Sequence, residues 1–429
     1  MKLIVLDPGH FHAALLQKKM YPGIVPTVAV YAPAAGADLD DYARRVEAFN
    51  GRAEAPTQWR LARHVGPAFI DELARETDAV VVICGNNRRK TEYIARSVDA
   101  GLHTLADKPM AIDPDDFAAL ERAFALAAER GVLLYDIMTE RHEITTILQR
   151  EFAGIEPVFG TLVEGTVDDP AISKESVHHF SKIVAGLPIV RPAWFFDTAQ
   201  QGEGLVDITT HLVDLVQWAA FPGQALDYRR DVDVLRAKRW PTVITPAQFR
   251  QVTKVDTWPD FLRKDVAADG NLHVFANGSI DYTLRGVHAH VSVLWHFEAA
   301  SGAADSHQSV MRGSRARLAI RQAAAQKHVP TLYLEPNDGI DRAAFAGAVA
   351  AALPAIQARY PGVDVTPAKE GLAVTLPAHY HVGHEAHFGQ VADAFLGYVS
   401  SGALPTWEVP NMLAKYYTTT RALALARQG

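Results

Sequence analysis

Ala79-Val80-Val81-Val82-Ile83-Cys84 constrains the fold of this chain more than any other stretch, because it is apolar at every position. A strand with one face in water alternates. A strand of a parallel sheet is covered on both faces and reads as a short continuous apolar run. The surroundings repeat the same unit. Leu3 to Leu6 is a shorter apolar strand ending at Asp7-Pro8-Gly9, with a helix after it over 12–19. Thr27 to Tyr31 reads as the next strand, followed by a helix near 40–49. A helix over 89–100 ends at Gly101, a natural C-cap, and His103 to Ala106 is another strand. Asp113-Pro114 opens a helix that runs to Arg130 and closes at Gly131, and Val132 to Tyr135 is one more strand. This alternation predicts an α/β protein whose N-terminal part is a doubly wound parallel sheet of Rossmann type.

Beyond residue 150 the pattern changes to longer, alternating strands separated by turn signals. Asn277-Gly278 is read as a hairpin turn joining 271–276 to 279–285. Residues 287–298 extend the ladder, and 316–321 and 330–335 are further strand candidates. Helices are expected over 205–220, 341–360 and 411–427. Trp240 to Ala267 reads as an insertion in which Thr245-Pro246 starts a short helix. The expected C-terminal part is therefore α+β, with a large, mostly antiparallel open sheet. At 429 residues, 48% hydrophobic and 21% charged, the chain is long enough for two domains, expected at 1–140 and 141–429.

The net charge of −7 and a pI near 6.2 argue against nucleic acid as the main partner, because a basic footprint is missing. Cys84 is the only cysteine, so neither an internal disulfide nor a cysteine metal cage can form. The opening Met1-Lys2-Leu3-Ile4-Val5-Leu6-Asp7 is too short an apolar run for a signal peptide, and no segment approaches a membrane span. A soluble cytoplasmic protein with no membrane partner is expected.

Chemistry is concentrated at two places. The first is Gly202-Glu203-Gly204-Leu205-Val206-Asp207-Ile208-Thr209-Thr210-His211-Leu212-Val213-Asp214, the start of a greasy helix. Helical spacing would place Asp207, His211 and Asp214 on one face at i, i+4 and i+7. An Asp one turn before a His can orient the ring for general acid–base work. A satisfied buried ion pair explains the same stripe equally well. The second is the first strand–turn–helix, where a dinucleotide fold binds pyrophosphate. The expected Gly-x-Gly-x-x-Gly stands here as Asp7-Pro8-Gly9-His10-Phe11-His12, with only the middle glycine kept. No carboxylate closes the second strand at Tyr31-Ala32, and Asp38 is the first one beyond it. Lys108, just after the 103–106 strand, can polarise a substrate oxygen beside the cofactor crevice, although an isolated Lys-Pro reads by default as a solvated surface lysine.

Asp107-Lys108-Pro109 resembles the Glu-Lys-Pro signature of the Gfo/Idh/MocA family, named for glucose–fructose oxidoreductase and inositol dehydrogenase. Asp207-x-x-x-His211-x-x-Asp214, behind Gly202 and Gly204, resembles its second signature, and Ala100-Gly101 falls at the family's spacing to the lysine. The resemblance covers about 220 residues. Asp107 replaces the family's Glu, Asn86-Asn87 stands where many members have Thr-Pro, and Lys90 where many have His. The C-terminal third looks like a divergent subfamily.

The resemblance implies an oxidoreductase that moves a hydride between nicotinamide and a sugar, polyol or glycoside carbon. Lys108, Asp207 and His211 are the implied catalytic set. It implies NAD, with NADP not excluded, against Pro8, Gly9, His10, Phe11, His12, Tyr31, Asn86, Asn87, Asp107 and Lys108. A homo-oligomer, dimer or tetramer, is implied too. An NAD-dependent glycoside-cleaving enzyme that oxidises only transiently and a non-catalytic dinucleotide-binding regulator are the alternatives.

Two histidine-rich segments remain. Val177-His178-His179-Phe180 and Pro192-Ala193-Trp194-Phe195-Phe196 lead toward His211 and offer polar groups beside aromatic faces, the chemistry sugars use. His379-Tyr380-His381-Val382-Gly383-His384-Glu385-Ala386-His387 carries four His in nine positions. It reads as a metal cluster, a pocket wall or a solvated segment; no metal is assigned. His178, His179, Trp194, Asp214 and His381 are the expected substrate contacts.

Overall fold

The computed structural model describes residues 1–184, 187–299 and 305–428. Its N-terminal part is a six-stranded, all-parallel sheet of β1 (Lys2–Leu6), β2 (Thr27–Ala32), β3 (Arg60–Val65), β4 (Ala79–Ile83), β5 (His103–Asp107) and β6 (Leu134–Ile137). The order β3-β2-β1-β4-β5-β6 is that of a doubly wound sheet, with its switch point between β1 and β4. Every residue of β4 is buried, as its apolar run requires. The helix Pro114–Arg130 begins at Asp113, whose carboxylate accepts from the Asp116 N–H, and ends at Gly131 with φ +67°. β3 carries no sequence signal. It is an edge strand, and only Leu61 and Ala62 of Arg60-Leu61-Ala62-Arg63-His64-Val65 offer more than a surface pattern.

The C-terminal part is built on a nine-stranded sheet. Its strands are β7 (Ile172–Ser181), β10 (Val232–Ile244), β11 (Leu272–Leu284), β12 (Val287–Glu298), β13 (Ser306–Arg312), β14 (Ala316–Arg321), β15 (Thr331–Pro336), β16 (Asp364–Ala368) and β17 (Gly371–Thr375). They lie in the order β10-β11-β12-β7-β13-β14-β15-β17-β16, antiparallel throughout except for the parallel pair β12–β7. A two-stranded ribbon, β8 (Ile183–Val184) and β9 (Leu187–Pro188), lies beside it. The helices Thr209–Ala220 and Glu408–Ala426 pack together, and the latter also covers β10.

Asn277-Gly278 is not a turn. β11 runs straight through it, and the chain reverses at Arg285-Gly286 instead. Three contacts hold the pair in the strand. Asn277 Nδ2 donates to Trp240 O and Thr242 Oγ1, across a register shift in β10, and Asn277 Oδ1 accepts from Trp295 N. A Cβ on Gly278 would sit 2.6 Å from the Leu205 side chain, so the glycine serves close packing. The 240–267 stretch starts inside β10 and continues into the helix Pro246–Thr253, where Thr245 and Gln248 form a reciprocal capping box. Phe249, Val252 and Leu262 of this stretch join Phe180, Phe195, Phe196 and Trp295 in a second, aromatic core. Phe195 and Trp295 of that core line the cavity described next.

Candidate active site

A cavity of about 770 Å³ opens where the C-terminal ends of β4 and β5 face the second sheet. Lys108 follows β5, and its Nζ donates to Asp207 Oδ1 at 2.5 Å, with both side chains more than nine-tenths buried. Gln201 Nε2 donates to the other carboxylate oxygen at 3.1 Å. The pair joins groups 99 residues apart.

His211 lies in the first turn of the helix Thr209–Ala220 and lines the same cavity. Its Nδ1 is buried with no partner among the described residues. Burial, reinforced by the Lys108 ammonium, pushes its pKa down to about 3, so the ring is neutral near pH 7. The expectation that Asp207 holds the His211 ring is not met. Both Asp207 oxygens are engaged by Lys108 and Gln201. The cause is local: the helix begins at Thr209, so Asp207 sits in the preceding turn and not one helical turn below His211.

Asp214 is likewise not a substrate contact. Arg141 grips it through Nε and Nη2 at 2.6 and 2.7 Å, and Lys415 Nζ donates to it at 2.8 Å. Lys415 also pairs with Asp136 at 2.6 Å, and Arg141 with Glu408 at 2.9 Å. This network is fully buried, ties the last helix to β6 and lies outside the cavity. Trp194 is also elsewhere: its Nε1 donates to Asp38 Oδ2 at 3.1 Å, beside the Gly9 turn. His178 and His381 do line the cavity. His179, the next residue along β7, does not; His178 and His179 each reach Asp305, at 3.2 and 3.1 Å.

The cofactor-side residues divide in the same way. His10, Phe11, His12, Asn87, Asp107 and Lys108 face the cavity, whereas Pro8, Gly9, Tyr31 and Asn86 do not. Asn86 and Asn87 donate to Gln200 Oε1 and Gln201 O, at 2.7 and 2.6 Å. Tyr31 gives its hydroxyl to Glu76 and stacks on His64. His12 Nδ1 lies 2.8 Å from Asp107 Oδ2. His10, His12 and Asp107 bring ligand atoms within 4.8 Å of one another. A divalent ion there would face Lys108 and Arg191, whose charges already act on His10.

Sequence reasoning missed Glu140, which pairs with His384 at 3.3 Å, and Asp305, which holds Lys182 at 2.5 Å. It also missed Arg191. Glu140 follows β6 and could have been sought there, since ligands gather beyond strand C-termini. Asp305 carries no signal because its partners are distant in sequence, and Arg191 none because what sets it apart is the lack of an acid beside it among the described residues.

Residues 148–427 match the family model described as "Putative oxidoreductase C terminal domain", and residues 37–136 match "Oxidoreductase family, NAD-binding Rossmann fold". The chain belongs to the Gfo/Idh/MocA oxidoreductases. A Gfo/Idh/MocA-type crystal structure, of a putative oxidoreductase from Parabacteroides merdae, is 51% identical over all of this chain and 97% of that one, with a TM-score of 0.97. Levoglucosan dehydrogenase in complex with NADH and L-sorbose shares the fold at 12% identity and TM-score 0.63, over 100% of this chain and 97% of that one. Mouse biliverdin reductase A is 33% identical over 96 residues, 21% of this chain and 30% of its own length.

The NAD-binding character of the family's Rossmann fold is matched by the turn itself. Asp7 stands where the fingerprint has its first glycine and adopts the left-handed conformation, φ +46°, that glycine would supply. Tyr93 steadies it by donating to Asp7 Oδ2 at 2.8 Å. A Cβ on Gly85 would lie 2.3 Å from Asp7 O, so a second bare residue keeps the crossing tight. A Cβ on Gly9 would reach ordinary contact, 3.5 Å, with the backbone at Gly85 and Asn86, so the turn packs closely against the end of β4. The Asp38 carboxylate sits beside Gly9, 3.6 Å from that Cβ position, and suits ribose hydroxyls.

Proposed function

We propose that this chain is an NAD(P)-dependent oxidoreductase that transfers a hydride between nicotinamide and a carbon of a sugar, polyol or glycoside. One observation carries the reading. A buried ammonium–carboxylate pair and a neutral imidazole share one cavity with the edge of the dinucleotide turn. Residues 1–140 serve as the dinucleotide domain in this reading, and 141–429 as the substrate and oligomerisation domain. Levoglucosan dehydrogenase and the 3-ketoreductase from Actinomadura kijaniata, both of this fold, support the carbohydrate assignment. The substrate hydroxyl lies between Lys108 and His211. His211 accepts its proton through the ring edge facing the cavity. Lys108, held by Asp207, donates to the oxygen as it becomes an alkoxide. Gln201 fixes Asp207, and so the lysine. Nicotinamide, when bound, supplies the hydride acceptor.

A redox-neutral variant, in which transient oxidation drives glycoside cleavage, is favoured by the second proton-handling pair in the cavity, Glu140–His384. The setting is a cytoplasmic homo-oligomer, dimer or tetramer, without membrane or nucleic-acid partners. Among the described residues no helix is long and apolar enough to cross a membrane. The test is calorimetric titration of NAD and NADP into the purified protein, then a panel of sugars, polyols and glycosides with NADH and cleavage products both followed. Nicotinamide binding with NADH formation supports dehydrogenation. Cleavage without NADH accumulation selects the redox-neutral variant. Failure to bind either dinucleotide overturns both.

A further inference from the structure

Each lysine on the cavity wall already has a carboxylate. Lys18 pairs with Glu385, Lys108 with Asp207 and Lys182 with Asp305, each at 2.5 Å. Arg191 is different. It lines the cavity at 4% exposure, and no carboxylate among the described residues lies within ion-pair distance of it. Its Nε donates to Phe180 O at 2.7 Å and its Nη2 to His179 O at 2.9 Å. Its plane lies over Phe195 and Trp295, 4.5 and 5.4 Å from the ring centroids. The guanidinium is thus fixed in place, and its Nη1 has no hydrogen-bond partner among the described residues. Burial pulls its pKa down to about 10, with Asp305 and Asp207 only partly offsetting that. A desolvated cation with no counter-ion is costly in an empty site, and becomes favourable when a ligand supplies the missing charge.

We propose that Arg191 binds a carboxylate carried by the substrate, so that the cavity takes a sugar acid in preference to a neutral sugar. The inference rests on the carbohydrate reading above. The further acids on the cavity wall, Asp107, Glu140 and Glu143 among them, would repel a dianionic phosphate more than a monoanion, and one free guanidinium edge suits a planar carboxylate. The open edge of the guanidinium offers it a charge-assisted hydrogen bond.

The experiment is calorimetry on the whole protein with NADH present, titrating D-glucuronate, D-gluconate, D-glucose and D-glucose 6-phosphate. At least one sugar acid is expected to bind on the order of tenfold tighter than glucose, the worth of one charge-assisted hydrogen bond. Arg191→Gln should erase that preference, and Arg191→Lys should keep part of it. Because Arg191 also holds two backbone carbonyls, the melting temperature of each variant is measured alongside, and the wild-type panel stands without them. Glucose binding as well as the acids overturns the carboxylate assignment alone. So does a preference for the phosphate, or an acid preference that survives Arg191→Gln. If no sugar binds while NADH does, the carbohydrate reading fails and this inference with it.

Discussion

Asp207 and Asp214 lie seven residues apart around one helix start, and both are buried in ion pairs, yet they belong to different kinds of place. Around Asp214 the charges close on themselves: Arg141 and Lys415 occupy both carboxylate oxygens, and each cation has a second acid. Around Asp207 the set is left incomplete. His211 has an orphaned Nδ1, and Arg191 has no acid among the described residues. Burial and pairing are common to both, so neither marks a site. The difference lies in what the groups border: Lys108, Asp207, His211 and Arg191 line the cavity, and no member of the Asp214 network does.

The comparison can be broken at either end. The largest effect is expected from Lys108→Met, which should lower turnover by roughly 10²–10³-fold, the loss typical of a donor aimed at developing negative charge. Turnover of a sugar that the wild type oxidises, measured beside the melting temperature, checks it. Near wild-type turnover would mean that the Lys108–Asp207 pair is as structural as the Asp214 network. Asp214→Asn should do the opposite, costing about 3–5 kcal/mol of stability by leaving buried cations short of an acid. Whatever fraction stays folded at low temperature should keep its substrate KM. Denaturant titration and kinetics on the same sample separate the two effects.

pH sharpens the contrast further. Folded His211 stays neutral down to about pH 3, whereas an unfolded histidine charges near its ordinary 6.5. The unfolded chain therefore takes the proton first, and stability falls as pH drops from about 6.5 toward 3. His211→Gln should remove part of that slope, roughly 1–2 kcal/mol of the loss between pH 6.5 and 5, as read by denaturant titration at the two values. The smallest effect belongs to Trp194→Phe. It removes the hydrogen bond to Asp38 outside the cavity and should leave KM for the sugar within about twofold. A larger rise in KM would restore Trp194 to the substrate site.

Much of the fold and part of the site are legible in the sequence, for physical reasons. The apolar run at 79–84 demands cover on both faces, and Asp113-Pro114 with Gly131 bounds a helix by backbone chemistry alone. Lys108 and His211 are legible because local pattern places them at a strand end and a helix start. What the sequence hides depends on partners far away in the chain. Asn277-Gly278 has every local property of a turn, yet its side chain is claimed by Trp240, Thr242 and Trp295. Asp214 has the spacing of a site residue, but Arg141 and Lys415 decide its role. Pairing Asp207 with His211 requires a helix that begins two residues earlier than it does. Arg191 is defined by an absence, and no sequence displays a missing counter-ion.

Lys108 and Asp207 come from opposite walls of the cleft, one after β5 of the parallel sheet and the other before a helix that packs on the second. Asn86 and Asn87 cross the same gap to Gln200 and Gln201. The pair proposed to be catalytic is thus also a clasp between the two walls. Parting the walls would separate the two charges, let water reach both and undo the arrangement proposed to polarise the substrate oxygen. Enclosure and chemical competence are in that sense a single equilibrium. Lys108 keeps its carboxylate only while the two walls stay together.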